Sequence, residues 1–322
     1  MNEQTLARRT FVTGAAALAA TGTFAMQDSR AQHAVPNSTG TAPPKLKAPP
    51  GAADCHIHIY DGARFAPARP DSRMQANGAV ADYRLLQKRI GTSRVVVVSP
   101  AAYGTDNRVT IDALSQLGAN ARGIVVVHPG VTDAELKAYA DAGARGIRFT
   151  QGDPRTATTT MDMIEPLAQR MNQFGWHIQV HMRADQIAAA ADLWRRIPCP
   201  MVFDHLGRLA PDKGTADPAF GVIRALIDKG RTWVKISGAY LNTRIGPPSY
   251  ADATKVAQAF VKAAPERMVW GSDWPHPTET LSEKPNDAVL FDLLSEWAPD
   301  DATRRKILVE NPAALYGFGK AS

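Results

Sequence analysis

The stretch "GAADCHIHIYDG", residues 51–62, sets two histidines one residue apart in an otherwise small and apolar run. Side chains of a β-strand alternate between its faces with a period of two. Unbroken alternation puts Asp54, His56, His58 and Tyr60 on one face and Cys55, Ile57 and Ile59 on the other. The apolar row is what a strand buries against helices. The two imidazoles then point together to the opposite side, and the rest of the chain says what lies there.

Seven further runs follow the first, "ADCHIHIY" (53–60). They are "RVVVVSP" (94–100), "RGIVVVHP" (122–129), "RGIRFT" (145–150), "HIQVHM" (177–182), "PMVFDHLG" (200–207), "WVKISGAY" (233–240) and "MVWGSDWP" (268–275). Between them lie segments such as "DAELKAYADAG" and "IEPLAQRMNQFG", with helical spacing of apolar residues and a terminal Gly. Near-continuous apolar strands alternating with helices predict a parallel sheet covered on both faces. Eight such units predict an α/β fold, a single-domain (β/α)8 TIM barrel over 51–322. The final "DATRRKILVENPAALYGF" is expected as closing helices on the outside of the barrel.

Barrel chemistry sits at the C-terminal ends of the strands. Those ends carry His56 and His58, then Ser99, His128, Arg148, His181, His205, Ser237 with Tyr240, and Asp273. His128 reads rather as a strand-terminal residue held by backbone. Trp274 reads as pocket wall, and Arg64, Arg69 and Arg73 in the long loop after strand 1 as mostly solvated charges, one of which could close over an anion.

The N-terminus has a separate logic. "LARRTFVTGAAALAATGTFA" joins Arg8-Arg9 to a short Ala-, Gly- and Thr-rich stretch, the layout of a twin-arginine export signal. Residues 1–31 are therefore expected as a signal peptide, cut after Ala25 or Ala31, that delivers the protein to the periplasm through the twin-arginine machinery. The apolar stretch is too short for stable membrane insertion. Residues 32–50, rich in Pro, Ser, Thr and Gly, are expected as a linker. Cys55 and Cys199 fall on distant strands and are expected as buried free thiols. A formal net charge of +6 is spread along the chain without a basic run interleaved with aromatics. This excludes nucleic acid as a partner and favours a small anionic substrate. Nothing in the sequence points to an oligomeric state.

"DCHIHIYD", His181, "FDHLGR" (203–208) and "GSDWPHP" (271–277) resemble the amidohydrolase superfamily, and within it the 2-pyrone-4,6-dicarboxylate lactonase-like branch. "YGTDN" (103–107), "RGIRF" (145–149), "KISGAY" (235–240) and "NPAALYGF" (311–318) support that branch. The resemblance implies a hydrolase that opens a lactone by attack of water on its carbonyl. It makes Asp273 the general base, with His56, His58 and His181 polarising the carbonyl oxygen. Arg148 would hold a substrate carboxylate, and Ser99, Tyr103, His205, Tyr240 and His276 would contact substrate.

His56, His58, His181 and Asp273 also make a sound site for one zinc ion. A two-metal site is disfavoured, because strand 4 lacks the lysine that binuclear members of the superfamily use there. The lactonase-like branch includes members that work without metal, and the reading favours no cofactor. The chain also departs from the pyrone-dicarboxylate pattern. After strand 4 only Arg155 is present and out of register, and after strand 7 Leu241 stands where an arginine is expected. A sugar lactone or muconolactone-type compound thus becomes as good an expectation as a dicarboxylate pyrone. A metal-dependent decarboxylase, a lactone isomerase and a non-catalytic periplasmic ligand-binding barrel are the competing readings.

Overall fold

The structure, a computed structural model, describes residues 34–152 and 157–319. The expected signal at 1–31 and Arg155 lie outside the described residues. Eight strands form one parallel sheet in sequential order: β1 (Ala53–Ile57), β2 (Arg94–Val98), β3 (Ala121–Val125), β4 (Ala144–Thr150), β5 (His177–His181), β6 (Met201–Phe203), β7 (Thr232–Ser237) and β8 (Met268–Gly271). Each begins within one residue of an expected run. The ring closes just past β8, where Asp273 N donates to His56 O and His58 N to Trp274 O, both at 2.8 Å. The architecture is the (β/α)8 barrel.

Local sequence chemistry places the helices. Val80–Ile90 stops at Gly91, whose φ of 89° is the left-handed conformation glycine adopts without strain. Asp133–Asp141 starts on a reciprocal cap in which Thr132 bonds the Glu135 amide and Glu135 bonds the Thr132 amide. No described helix is long and apolar enough to cross a membrane.

The barrel interior has a dry floor. Val96, Val98, Ile124, Val202, Trp233 and Val269 pack there with Ala53, Cys55, Tyr316 and Phe318. The C-terminal segment, expected on the outside of the barrel, thus contributes Tyr316 and Phe318 to this inner cluster. Both cysteines are free and buried.

The first strand also differs from unbroken alternation. Its register to β2 shifts between Asp54 and Ile57, a β-bulge. Cys55 therefore joins the inner cluster, while Asp54 turns outward. There it accepts from the Ser272 amide at 2.9 Å, the Ser272 hydroxyl at 2.6 Å and the hydroxyl of Tyr83, a residue of the Val80–Ile90 helix. Burial pushes the Asp54 carboxyl up to about 7, with the Ser272 bonds opposing. Beyond the bulge His56 and His58 face the barrel mouth together.

Residues 34–50, expected as a linker, run as a strap against the barrel wall. Val35 is buried, Trp274 Nε1 donates to Pro36 O at 2.7 Å, and Arg89 donates to the carbonyls of Thr39 and Ala42.

Candidate active site

Above the dry floor lies a layer that is polar and almost entirely buried. It is built from alternate residues of β4, β5 and β7 and the end of β6, namely Arg148, Gln179, Lys235 and Asp204. Asp204 Oδ2 accepts from Arg148 Nε and Gln179 Nε2, each at 3.0 Å. Its Oδ1 lies 3.7 Å from Lys235 Nζ and 3.4 Å from His56 Nδ1, without a hydrogen bond. Lys235 Nζ donates to Cys55 O at 2.8 Å, to Gln179 Oε1 at 2.8 Å and to His56 Nδ1 at 3.2 Å. Buried charges cost several kcal/mol each unless paired and bonded, and here two cations flank one carboxylate. Burial would raise Asp204, but with His56, Arg148 and Lys235 around it the carboxyl stays well below the usual range. Burial pulls Lys235 down to about 8, with Asp204 opposing.

Asp273 stands at the centre of the next layer. Its Oδ1 lies 3.5 Å from His56 Nε2, 3.4 Å from His58 Nε2 and 3.7 Å from His205 Nε2, and has no hydrogen-bond partner. Its Oδ2 accepts from the Tyr240 hydroxyl at 2.6 Å. Burial would raise the Asp273 carboxyl, yet His205, His58 and His56 hold it well below the usual range. Burial drives His56 and His181 well below the ordinary imidazole value and His205 down to about 4. At neutral pH the Asp273 carboxylate is therefore ionised while His56, His181 and His205 are neutral. Asp273 and His205 have φ of 66° and 50°, a strained backbone of the kind that clusters at functional sites. Gly271 permits the close seam beneath them, since a Cβ there would meet His56 Cβ at 2.6 Å.

The sequence-predicted residues divide into two groups. His58, Arg148, His181, His205 and Asp273 line a cavity of about 370 Å³ at the barrel mouth. His56 forms its floor, fully buried, with Nε2 3.2 Å from His58 Nε2. Tyr240 meets the site through Asp273. The other three expected substrate contacts are turned inward. The Ser99 hydroxyl bonds Asn107 Oδ1 at 2.9 Å and Thr110 Oγ1 at 2.7 Å. Tyr103 accepts from the Asp61 amide at 2.9 Å. His276 is sealed against Asp287 at 3.1 Å, with the Tyr240 ring on its flank. These three brace loops and none lines the cavity.

His128 is exposed, bonded to Thr158 O at 2.8 Å. Arg69, Ser72, Arg73 and Leu241 do line the cavity, so the loop after β1 brings two arginines to its rim. Arg73 is tied to the carbonyls of Pro277 and Thr278. Sequence reasoning missed Gln179, Asp204 and Lys235. Alternation within "HIQVH" and "WVKIS" puts Gln179 with His181 and Lys235 with Ser237, so the signal was present.

A zinc ion with ligands at 2.0–2.1 Å separates neighbouring tetrahedral donors by about 3.3 Å. Among the described residues, His56, His58 and Asp273 come together on that scale, whereas His181 stays outside the cluster. The hydrogen bonding does not suit such an ion. His181 Nδ1 faces Arg148 Nη2 at 2.6 Å and His56 Nδ1 faces the Lys235 ammonium. A metal-bound imidazole needs an acceptor for its second nitrogen; at His181 a cation stands in that place, and at His56 the Lys235 ammonium lies closer than the Asp204 carboxylate oxygen, 3.2 Å against 3.4 Å.

The chain is 31% identical over 282 residues to the 2-pyrone-4,6-dicarboxylate hydrolase of Comamonas testosteroni, covering 85% of this chain and 92% of that one. It is 34% identical over 281 residues to a 4-sulfomuconolactone hydrolase of Rhizobium radiobacter, covering 86% and 93%. Its fold superposes on the apo crystal structure of an Agrobacterium tumefaciens protein with a TM-score of 0.80 at 29% identity, covering 88% of this chain and 99% of that one. Residues 53–318 match the amidohydrolase family, and the chain belongs to it.

Proposed function

We propose that this protein is a lactonase that hydrolyses the cyclic ester of a small anionic substrate without a metal. The observation that carries this is the Asp273 carboxylate, buried among His56, His58 and His205, with one oxygen unbonded beside the cavity. Water held at Asp273 Oδ1 gives up a proton to it while its oxygen adds to the lactone carbonyl carbon. Imidazole N–H groups facing the cavity stabilise the oxyanion that forms. Collapse breaks the ring C–O bond and leaves a carboxylic acid, Asp273 returns its proton to the departing alkoxide, and the new acid loses its own proton to solvent as the carboxylate. The cavity lining sets three arginines, Arg148 and the rim residues Arg69 and Arg73, against two carboxylates, Asp71 and Asp273, an excess of positive charge that suits an anion. Names of the two relatives, a pyrone-dicarboxylate and a sulfomuconolactone hydrolase, support the same substrate class. The Arg8-Arg9 pattern supports export to the periplasm, which fractionation of cells expressing the whole chain tests.

The test of function is a panel of mono- and dianionic lactones followed by acid release, with and without chelator. Turnover that survives metal removal and falls by about 10²–10⁴ in Asp273→Asn is expected. Turnover lost to chelator and restored by zinc would return the metal-dependent reading. A rearranged lactone in the product NMR spectrum would make the enzyme an isomerase.

A further inference from the structure

We infer that the buried Arg148–Asp204–Lys235 group is a tautomer lock. It holds His56 and His181 as Nδ1-bare, Nε2–H imidazoles, so that the His181 N–H is left for the substrate carbonyl, the His56 N–H is given to His58, and neither ring is free to ligate a cation. The inference deepens the lactonase reading and concerns protons rather than turnover.

A guanidinium donates and never accepts. Arg148 Nη2 at 2.6 Å from His181 Nδ1 therefore makes that nitrogen the acceptor, and the ring's single proton sits on Nε2. The same holds for His56. Lys235 has three N–H groups and three acceptors in reach, Cys55 O, Gln179 Oε1 and His56 Nδ1. With His56 Nδ1 accepting, every ammonium proton is used. His56 Nε2–H then points at His58 Nε2, 3.2 Å away. His58 completes the chain, because its Nδ1 lies 2.8 Å from Val98 O and donates to that carbonyl. That leaves His58 Nε2 as a lone pair. The three rings thus have unlike roles, two donors and one acceptor. Asp204 is the positioning residue for both cations, bonded to Arg148 and ion-paired with Lys235.

A metal site would need the reverse. His56 Nε2 would have to be bare and Nδ1–H would have to find a carboxylate, the partner that usually orients a metal-bound ring. Asp204 Oδ1, unbonded and 3.4 Å from His56 Nδ1, is that carboxylate. Only Lys235 stands in the way, so one side chain separates the two chemistries.

The experiment is ¹⁵N NMR of histidine-labelled protein, with the His56 and His181 signals assigned from His56→Asn and His181→Asn. Wild type is expected to show, for both rings, a bare Nδ1 and a protonated Nε2. In Lys235→Met the His56 pattern inverts while His181 keeps its own, and zinc affinity rises at least tenfold by titration calorimetry. Protonated Nδ1 on both rings of the wild type, an unchanged His56 pattern in Lys235→Met, or stoichiometric zinc in the wild type at His56 would each overturn the inference. Where the variant does not fold, the wild-type spectrum decides alone. A protein with the expected tautomers that opens no lactone would sink the functional reading and leave the lock standing.

Discussion

Tyr240→Phe removes one oxygen from the site and leaves the ring in place. That oxygen donates to Asp273 Oδ2 at 2.6 Å, within the range of charge-assisted bonds. Burial and the neighbouring Asp273 charge hold Tyr240 well above the ordinary phenol value, so it remains a protonated donor throughout the working range. Because Oδ1 has no hydrogen-bond partner, the variant leaves a buried carboxylate with no donor on either oxygen. A hydrogen bond to a charged group is worth about 1.5–3 kcal/mol, and one pH unit corresponds to about 1.4 kcal/mol.

The sign follows from which form the bond favours. Tyr240 stabilises ionised Asp273, so its loss makes the carboxylate harder to ionise and a stronger base. As pH falls, the variant loses activity first. Its acid limb in kcat/KM for the best lactone is expected roughly 1–2 pH units above that of the wild type. The plateau rate is expected to fall less than for Asp273→Asn, because the base is still present. The assay is a kcat/KM profile in the acid range on both proteins, with circular dichroism as the check of folding. A folded variant whose acid limb is unmoved, or moved to lower pH, would refute the role assigned to this contact.

Other outcomes follow from the same geometry. Gly271→Ala drives a methyl to within 2.6 Å of His56 Cβ and 2.8 Å of His56 N. Overpacking of this kind costs about 1–3 kcal/mol, so both the urea midpoint and kcat should drop; neither moving would contradict the seam described here. Ser99→Ala deletes a hydroxyl that bonds only inside the protein, and should cost about 1 kcal/mol of stability with KM unchanged. A large rise in KM would restore Ser99 as a substrate contact. Arg148→Lys keeps a charge but loses the fork that spans Asp204 and His181, so kcat should fall even at saturating lactone. An effect confined to KM would mean that Arg148 only binds the substrate anion.

The sequence by itself determined the architecture and most of the site's composition. Strand runs, helical spacing and glycine stops are local properties, so eight units and their C-terminal polar residues were legible without a structure. His58, Arg148, His181 and Asp273 all reach the cavity as alternation and barrel position require.

What the tertiary structure decided is how those residues divide their labour. The β1 bulge exchanged Asp54 for Cys55 on the inner face, because one extra residue in a strand reverses the parity that precedes it. Ring closure set β8 against β1, which ties Asp273 to His56 by a backbone bond across the length of the barrel sequence. The turn after β6 brought His205 to Asp273 and left His181 to Arg148. Lys235 came to rest under His56 from a strand 179 residues away. "DCHIHIYD" could announce that two imidazoles face the interior. Which of them donates a proton and which accepts one depends on cations and carbonyls contributed by other strands, and only the folded barrel puts those within hydrogen-bond reach.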